Sequence, residues 1–290
     1  MKLKRLVKKM TNILPDGLFL RLEYFRNFGR FPDLKHPKTF NEKLQWLKLH
    51  DRKPEYTRMV DKYEAKLYVA EKIGEEYIIP TLGVWDRFDQ IDFDSLPDQF
   101  VLKCTHDSGG LVVCRDKSKL DIEQARQKIN NSLKRNYYKQ LREWPYKNVK
   151  PRIIAEQYME DTQTQELRDY KFFCFDGEAK VMFIVTDRQS ADKGACLDFF
   201  DTQYNHLPIR KGRPNADVLP KKPECFEEMK MLAAKLSQGI PHLRVDFYEV
   251  DGKAYFGELT FFSGGGTGAF EPEEWDYTFG SWIKLPEVYK

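Results

Sequence analysis

The residues best suited to chemistry fall at positions 244–266, RVDFYEVDGKAYFGELTFFSGGG. Two short runs rich in Val, Phe and Tyr are joined at Val250-Asp251-Gly252-Lys253 and end in a glycine run, which predicts a β-ribbon. Asp246 and Glu258 interrupt an otherwise core-like pattern. Two carboxylates on neighbouring strands suit a hard cation such as Mg²⁺, because oxygen ligands match it and nucleotide phosphates can complete its shell. Geometry sets a condition. A two-residue loop at Asp251-Gly252 would put the two acids on opposite faces, whereas a longer or bulged loop would set them opposite each other on one face. A surface hairpin with solvated acids is the alternative for this stretch.

A second polar concentration spans positions 100–113, FVLKCTHDSGGLVV. A β-rich run carrying Lys103 enters a turn containing Ser108, Gly109 and Gly110, and another β-rich run leaves it. Glycine N–H groups can approach an anion closely, and the strand lysine adds positive charge. The spacing is neither a Walker A sequence nor a GxGxxG fingerprint, and a plain β-hairpin fits it equally. His106 could touch phosphate or brace the loop. Further on, Lys171 opens an aromatic strand, where a buried charge needs an anionic partner, and Arg188 follows the next strand.

These residues need elements to hold them. Positions 1–95 read as mainly helical: Leu3, Leu6, Val7 and Met10 share a helical spacing that Leu18, Leu22 and Phe25 continue. Thr39-Phe40-Asn41-Glu42 is a helix start with Leu44 and Leu47 facing inward, and positions 61–73 form a helix with a Tyr63, Leu67, Ala70, Ile73 stripe closed by Gly74. Positions 78–85 make a short strand or extended crossing. Positions 121–143 predict one long amphipathic helix, with Ile122, Ala125, Ile129, Leu133, Tyr137 and Leu141 inward, ended by Trp144-Pro145. Positions 152–160 read as a buried strand with a polar end, positions 169–184 as strand, Asp-Gly turn, strand, and 226–236 as a helix. Positions 189–223 are polar and irregular.

Composition narrows the classes. A net charge of +3 on 290 residues is too small to argue for nucleic acid, and no dense basic tract lies beyond residue 10. Five scattered cysteines, never spaced CxxC, imply reduced core residues of a cytoplasmic protein rather than a disulfide frame or zinc site. No apolar run approaches a transmembrane length, and the basic start lacks the uninterrupted apolar region of a secretory signal. At most, residues 1–25 would make a peripheral membrane contact; an ordinary surface helix accounts for them as well.

Taken in order, the strand lysine, the glycine loop, Ile153-Ile154-Ala155-Glu156-Gln157-Tyr158, Asp169-Tyr170-Lys171, Arg244-Val245-Asp246-Phe247 and Gly257-Glu258-Leu259-Thr260 form a succession. It resembles the ATP-grasp superfamily, in particular the TupA-like branch associated with teichuronopeptide and other bacterial surface-polysaccharide synthesis. Phe40-Asn41-Glu42-Lys43-Leu44 and Val60-Asp61-Lys62-Tyr63 add to the likeness, which runs from about residue 40 to residue 266. The implied fold is α+β: two antiparallel-sheet subdomains clasping a nucleotide, at 96–160 and 161–290, after a mainly helical portion at 1–95. The resemblance implies that Lys103 and Lys171 contact ATP phosphates, with His106 and Asp169 beside them and Ser108-Gly109-Gly110 as a mobile cover. Glu156, Gln157 and Tyr158 would hold adenine along a strand edge; Asp246 and Glu258 would bind Mg²⁺; Arg188 and Arg244 would flank the transferred phosphoryl group. Thr260 stands where the family commonly has asparagine, leaving a hydroxyl in place of an amide carbonyl.

The activity so implied is ATP- and Mg²⁺-dependent ligation of a carboxylate, on a sugar or glycan, to an amine such as an amino acid, through an acyl phosphate. A glycosyltransferase is a rival, because Asp92-Phe93-Asp94 matches the DxD pattern of many such enzymes, although a surface turn explains it too. A sugar kinase of the same pathway is a further rival. The Thr260 departure also fits a nucleotide-binding protein without catalysis.

Overall fold

Two Asp-Gly pairs shape the larger sheet. Asp176-Gly177 (φ 47° and 84°) and Asp251-Gly252 (φ 50° and 73°) take the left-handed conformations of tight hairpin turns, which match the twist of paired strands. The computed structural model describes residues 13–162, 167–186 and 195–287. Arg188 and the basic start at residues 1–12 lie outside these described residues.

The described chain opens with helices α1 (Asp16–Phe28), α2 (Phe40–His50), α3 (Glu55–Val60) and α4 (Glu64–Ile73). Strands β1 (Thr81–Trp85), β2 (Phe100–Cys104) and β3 (Leu111–Cys114) lead to α5 (Ile122–Leu133), the short α6 (Tyr138–Leu141) and β4 (Ile153–Gln157). Then follow β5 (Asp169–Phe175), β6 (Glu178–Thr186), β7 (Cys196–Asp201), β8 (His206–Leu207), α7 (Phe226–Leu236), β9 (Leu243–Val250), β10 (Lys253–Thr260) and α8 (Glu274–Trp282). A four-stranded sheet runs β1-β4-β2-β3 and a six-stranded sheet runs β10-β9-β5-β6-β7-β8, with neighbours antiparallel. The small sheet thus takes in β1, from the portion that reads as helical.

Each sheet has its own core. Phe88, Phe100, Leu102, Ile129 and Ile153 pack between the small sheet and α5. The larger core is aromatic: Phe279 of α8 is fully buried, and its ring lies within 6.5 Å of Phe40, Phe173, Phe175, Phe199 and Phe270. Thr39 caps α2 with a complete capping box through Glu42, as the sequence predicts.

Local expectations failed where tertiary contacts overrode them. Positions 121–143 are two helices, because α5 stops after Leu133 and Arg142 turns left-handed at φ 54°. Beyond that break Tyr137, Glu143 and Tyr146 come within electrostatic reach of Glu258. On α4 the buried apolar face is Ala65, Tyr68 and Val69 while Leu67 is exposed, because Lys66 is drawn inward to Glu156. Leu18, Leu22 and Phe25 of α1 are exposed, and Phe19, Leu20 and Tyr24 are buried instead. Within the stretch that reads as irregular, β7 and β8 extend the large sheet. The five cysteines are buried, and none is joined in a disulfide. Among the described residues no helix is long and apolar enough to cross a membrane.

Candidate nucleotide and metal site

Three strands set the predicted metal and phosphate residues in one row. Lys171 of β5 lies opposite Asp246 of β9, which lies opposite Glu258 of β10. The ribbon turns in two residues, the loop that by alternation alone would separate the acids. They meet because Gly257 drops out of the ladder: Phe256 pairs with Phe247, and the next pair is Glu258 with Asp246. The bulge restores the shared face. It needs a glycine, since a Cβ at position 257 would lie 3.0 Å from the Asp246 carbonyl oxygen and 3.2 Å from Tyr248 Cε2.

Arg244 and Thr260 form the adjacent row. Arg244 donates from Nε and Nη2 to the two Asp246 oxygens at 2.7 and 2.6 Å, and from Nη2 to Glu258 Oε1 at 2.7 Å. Lys171 donates to Asp246 Oδ2 and lies 3.4 Å from Asp169. Asp246 is wholly buried, so burial weighs against its ionised form while Arg244 and Lys171 weigh for it. The Glu258 side chain, 43% exposed, opens to solvent. Partial desolvation resists its ionisation, but Arg244, Lys171 and Lys62 prevail and hold its pKa down at about 2. The Thr260 hydroxyl donates to Glu258 Oε1 at 3.4 Å. Two opposed carboxylates fit Mg²⁺, which takes one or two protein carboxylates and fills its shell with phosphate and water. Among the described residues no trio of His, Cys, Asp or Glu makes a metal cage from protein alone.

The small sheet presents the opposing charges. Glu156 is buried and ion-paired to Lys66 and, at 2.5 Å, to Lys103. Its side chain therefore braces two lysines rather than lying open beside a base. β4 runs inside the sheet between β1 and β2, and the Gln157 N–H goes to the Pro80 carbonyl at 3.0 Å. Beyond Gln157 the chain leaves the sheet at Tyr158. In the glycine loop, Asp107 Oδ1 accepts from the N–H groups of Gly109 and Gly110 at 3.2 and 3.1 Å, and its Oδ2 accepts from Ser132. This conformation ties the cover to α5 and leaves those two amides engaged. His106 is 3% exposed, and burial lowers its pKa against the pull of Asp107. It sits in packed interior rather than at an open phosphate face.

Several residues escaped sequence reasoning. Lys62 donates to the Asp107 carbonyl and has Glu258, Lys103 and Glu156 within electrostatic reach, so its charge acts on residues of both sheets. Its signal was the lysine after Asp61, the residue whose carboxylate accepts the Tyr63 and Glu64 amides at the start of α4. On α2, the buried polar stripe Asn41, Gln45 and Lys48 holds the glycine run by its carbonyls: Asn41 on Gly268, Gln45 on Gly265 and Gly266, Lys48 on Gly265. Glu143 is buried nearby; burial, with Glu258 adding, raises its pKa to about 7 against Lys48 and Arg244.

Two features lie apart. Asp92 accepts from the Asp94 N–H and from Ser95 within an exposed turn that Lys117 pins through the Phe93 and Leu96 carbonyls. A cavity of about 1020 Å³ lined by Tyr170, Asn215 and Glu249 opens on the other face of the large sheet, since Tyr170 and Glu249 alternate with Lys171 and Tyr248.

A family model for TupA-like ATP-grasp proteins matches residues 42–284. The chain belongs to that family. Among curated proteins none matches. Solved structures similar to it include D-alanine–D-alanine ligase from Bacillus anthracis complexed with ATP, at 14% identity and TM-score 0.41, over 70% of this chain and 53% of that one. The Helicobacter pylori D-alanine–D-alanine ligase gives 14% and 0.41 over 78% and 61%. ATP-grasp ligase PsnB, with a phosphomimetic variant of its minimal precursor, Mg and ADP, gives 10% and 0.43 over 76% and 57%. The TupA-like chain therefore spans only 53% to 61% of the length of these ligases.

Proposed function

We propose that this protein is an ATP- and Mg²⁺-dependent carboxylate–amine ligase of bacterial surface-polysaccharide synthesis, joining an amine such as an amino acid to a carboxylate-bearing sugar. The observation that carries the reading is the bulge-set row of Lys171, Asp246 and Glu258, bridged by Arg244 and within electrostatic reach of Lys62, which has Lys103 beside it. In this reading the three lysines bind the phosphates and Asp246 and Glu258 hold Mg²⁺, with Thr260 on its water. Bound there, the cation neutralises phosphate charge. Backbone at Tyr158 faces the base, and Ser108-Gly109-Gly110 covers the phosphates once Asp107 releases its amides. The portions 96–160 and 161–290 act as the two halves of the grasp, with 1–95 bracing them.

Carboxylate is a poor acyl donor until an oxygen leaves as phosphate. Lys171 and Arg244 would stabilise charge during phosphoryl transfer from ATP to that oxygen, with Arg188 assigned to the same task. The amine then attacks the acyl carbon, and phosphate departs. Thermal unfolding tests the site: ATP–Mg²⁺ and ADP–Mg²⁺ should stabilise the protein, by about 2.7 kcal/mol at 100 times Kd, and Lys103→Ala and Glu258→Ala should lose the shift. Trapping with hydroxylamine and uronic acids then reads the acyl phosphate as a hydroxamate. Stabilisation by nucleotide sugars alone would defeat the ATP-grasp reading, and phosphate stably bound to sugar would make the protein a kinase.

A further inference from the structure

One buried ionisable group beside the site has no partner of its own. Glu143 is 6% exposed, and the described residues give its carboxylate neither a hydrogen bond nor an ion pair. It sits between left-handed Arg142 and the turn Trp144–Asn148, where the chain passes beneath the glycine run; Leu141 is the side chain that a Cβ on Gly265 would strike. The charges it faces are Lys48, Arg244 and Glu258.

Neither cation supplies the missing contact. The Lys48 ammonium has three N–H donors, and three acceptors use them: Gln45 Oε1 at 3.2 Å, the Leu141 carbonyl at 2.9 Å and the Gly265 carbonyl at 2.7 Å. Arg244 is turned to Asp246 and Glu258. Tyr137 and Tyr146, with ring centroids 4.6 Å apart, stand within electrostatic reach of Glu143. The Glu143 oxygens keep some contact with solvent, and a largely desolvated carboxylate with free lone pairs favours a charged, hydrogen-bonding partner. A divalent metal would want more oxygen ligands than this wall offers. A primary ammonium is compact, carries three donors and is attracted to aromatic faces.

We propose that Glu143 is the counter-ion that receives the ammonium of the amine substrate, holding its nitrogen beside Arg244 and Glu258. The proposal rests on the ligase reading above and extends it to the amine. Lys48 spends its donors on Gln45, Leu141 and Gly265, so the carboxylate next to it stays open.

The test uses the full chain saturated with ADP–Mg²⁺ and a calorimetric panel of glycine, L-lysine, L-glutamate, ethanolamine and putrescine, each paired with its N-acetylated form. At least one free amine should bind the wild type, its acetylated form should not, and Glu143→Gln should weaken that binding about tenfold or more. Glu143→Asp should retain part of it, and ADP–Mg²⁺ binding should be the same in all three proteins. Equal binding of the amine to Glu143→Gln, or no amine bound by the wild type while ADP–Mg²⁺ binds, overturns the proposal and leaves the ligase reading standing. Absence of ADP–Mg²⁺ binding to the wild type removes the ligase reading itself. If Glu143→Gln fails to fold, Tyr137→Leu on the same wall should weaken the amine severalfold, and unchanged binding there overturns the proposal.

Discussion

The buried triad of Glu156, Lys66 and Lys103 gives the sharpest quantitative prediction. Glu156 is 4% exposed and its two lysine side chains are 7% and 23% exposed. Burial works against its charge, yet Lys103 and Lys66 outweigh burial and bring the pKa from 4.5 to about 2. At 1.36 kcal/mol per unit, that difference is worth about 3 kcal/mol at neutral pH. Breaking a buried pair by removing one partner costs about 3–5 kcal/mol. Lys66 keeps the Ile79 carbonyl at 2.7 Å and the Thr81 hydroxyl at 3.2 Å, and Lys103 can turn to solvent, so the lower end applies. Glu156→Gln should therefore lower stability by about 3 kcal/mol at pH 7 in urea titrations, with a fall in Tm of roughly 6–12 °C. The folded pKa lies below the unfolded one, so the wild type holds this advantage above pH 4.5 and loses it as pH falls toward 2. The gap between the two proteins should shrink to about 2 kcal/mol at pH 3.5. A difference under about 1 kcal/mol at pH 7, or one that does not change with pH, would refute the reasoning.

Further consequences follow from single residues. Gly257→Ala pushes a methyl against the Asp246 carbonyl; it should cost about 1–3 kcal/mol in urea unfolding and abolish stabilisation by ATP–Mg²⁺, and an intact nucleotide shift would mean that the bulge does not set the site. Lys211, half-buried with its ammonium over the Phe270 ring, has its pKa lowered by desolvation from 10.5 to about 7. Here the unfolded chain binds the extra proton between those values, so wild-type stability should rise with pH across that window. Lys211→Met should be more favourable relative to wild type at pH 6.5 than at pH 9.5, and a constant difference would count against the assignment. Phe279→Ala, at the centre of the aromatic core, should cost about 3–5 kcal/mol by the same assay; a loss under 1 kcal/mol would show that the core repacks around the void.

Much that depends on a few consecutive residues could be read from the sequence. The capping box at Thr39 and Glu42, the Asp-Gly turns at 176 and 251, the strands carrying Lys103, Lys171 and Asp246, and the order of these motifs all follow from dihedral preference, side-chain alternation and short hydrogen bonds. Even the requirement that Asp246 and Glu258 needed a register shift was a local deduction. Where the shift occurs was decided at Gly257, where a side chain would crowd Asp246 and Tyr248 of the next strand. The same holds for residues whose roles depend on remote partners. Lys66 turns inward because Glu156 waits there, Lys48 because Leu141 and Gly265 offer carbonyls, and Glu143 loses solvent because the 121–143 helix breaks. Sequence periodicity registers which face of an element is apolar, and nothing in it records a charge buried by a segment about a hundred residues away. The sequence by itself determined the strands that carry Lys103, Lys171, Asp246 and Glu258, the turns beside them and the family of this chain; only the tertiary structure decided which acids meet, which lysines they meet, and which carboxylate is left open, because those outcomes are sums of burial and charge over segments that come together only in the folded chain.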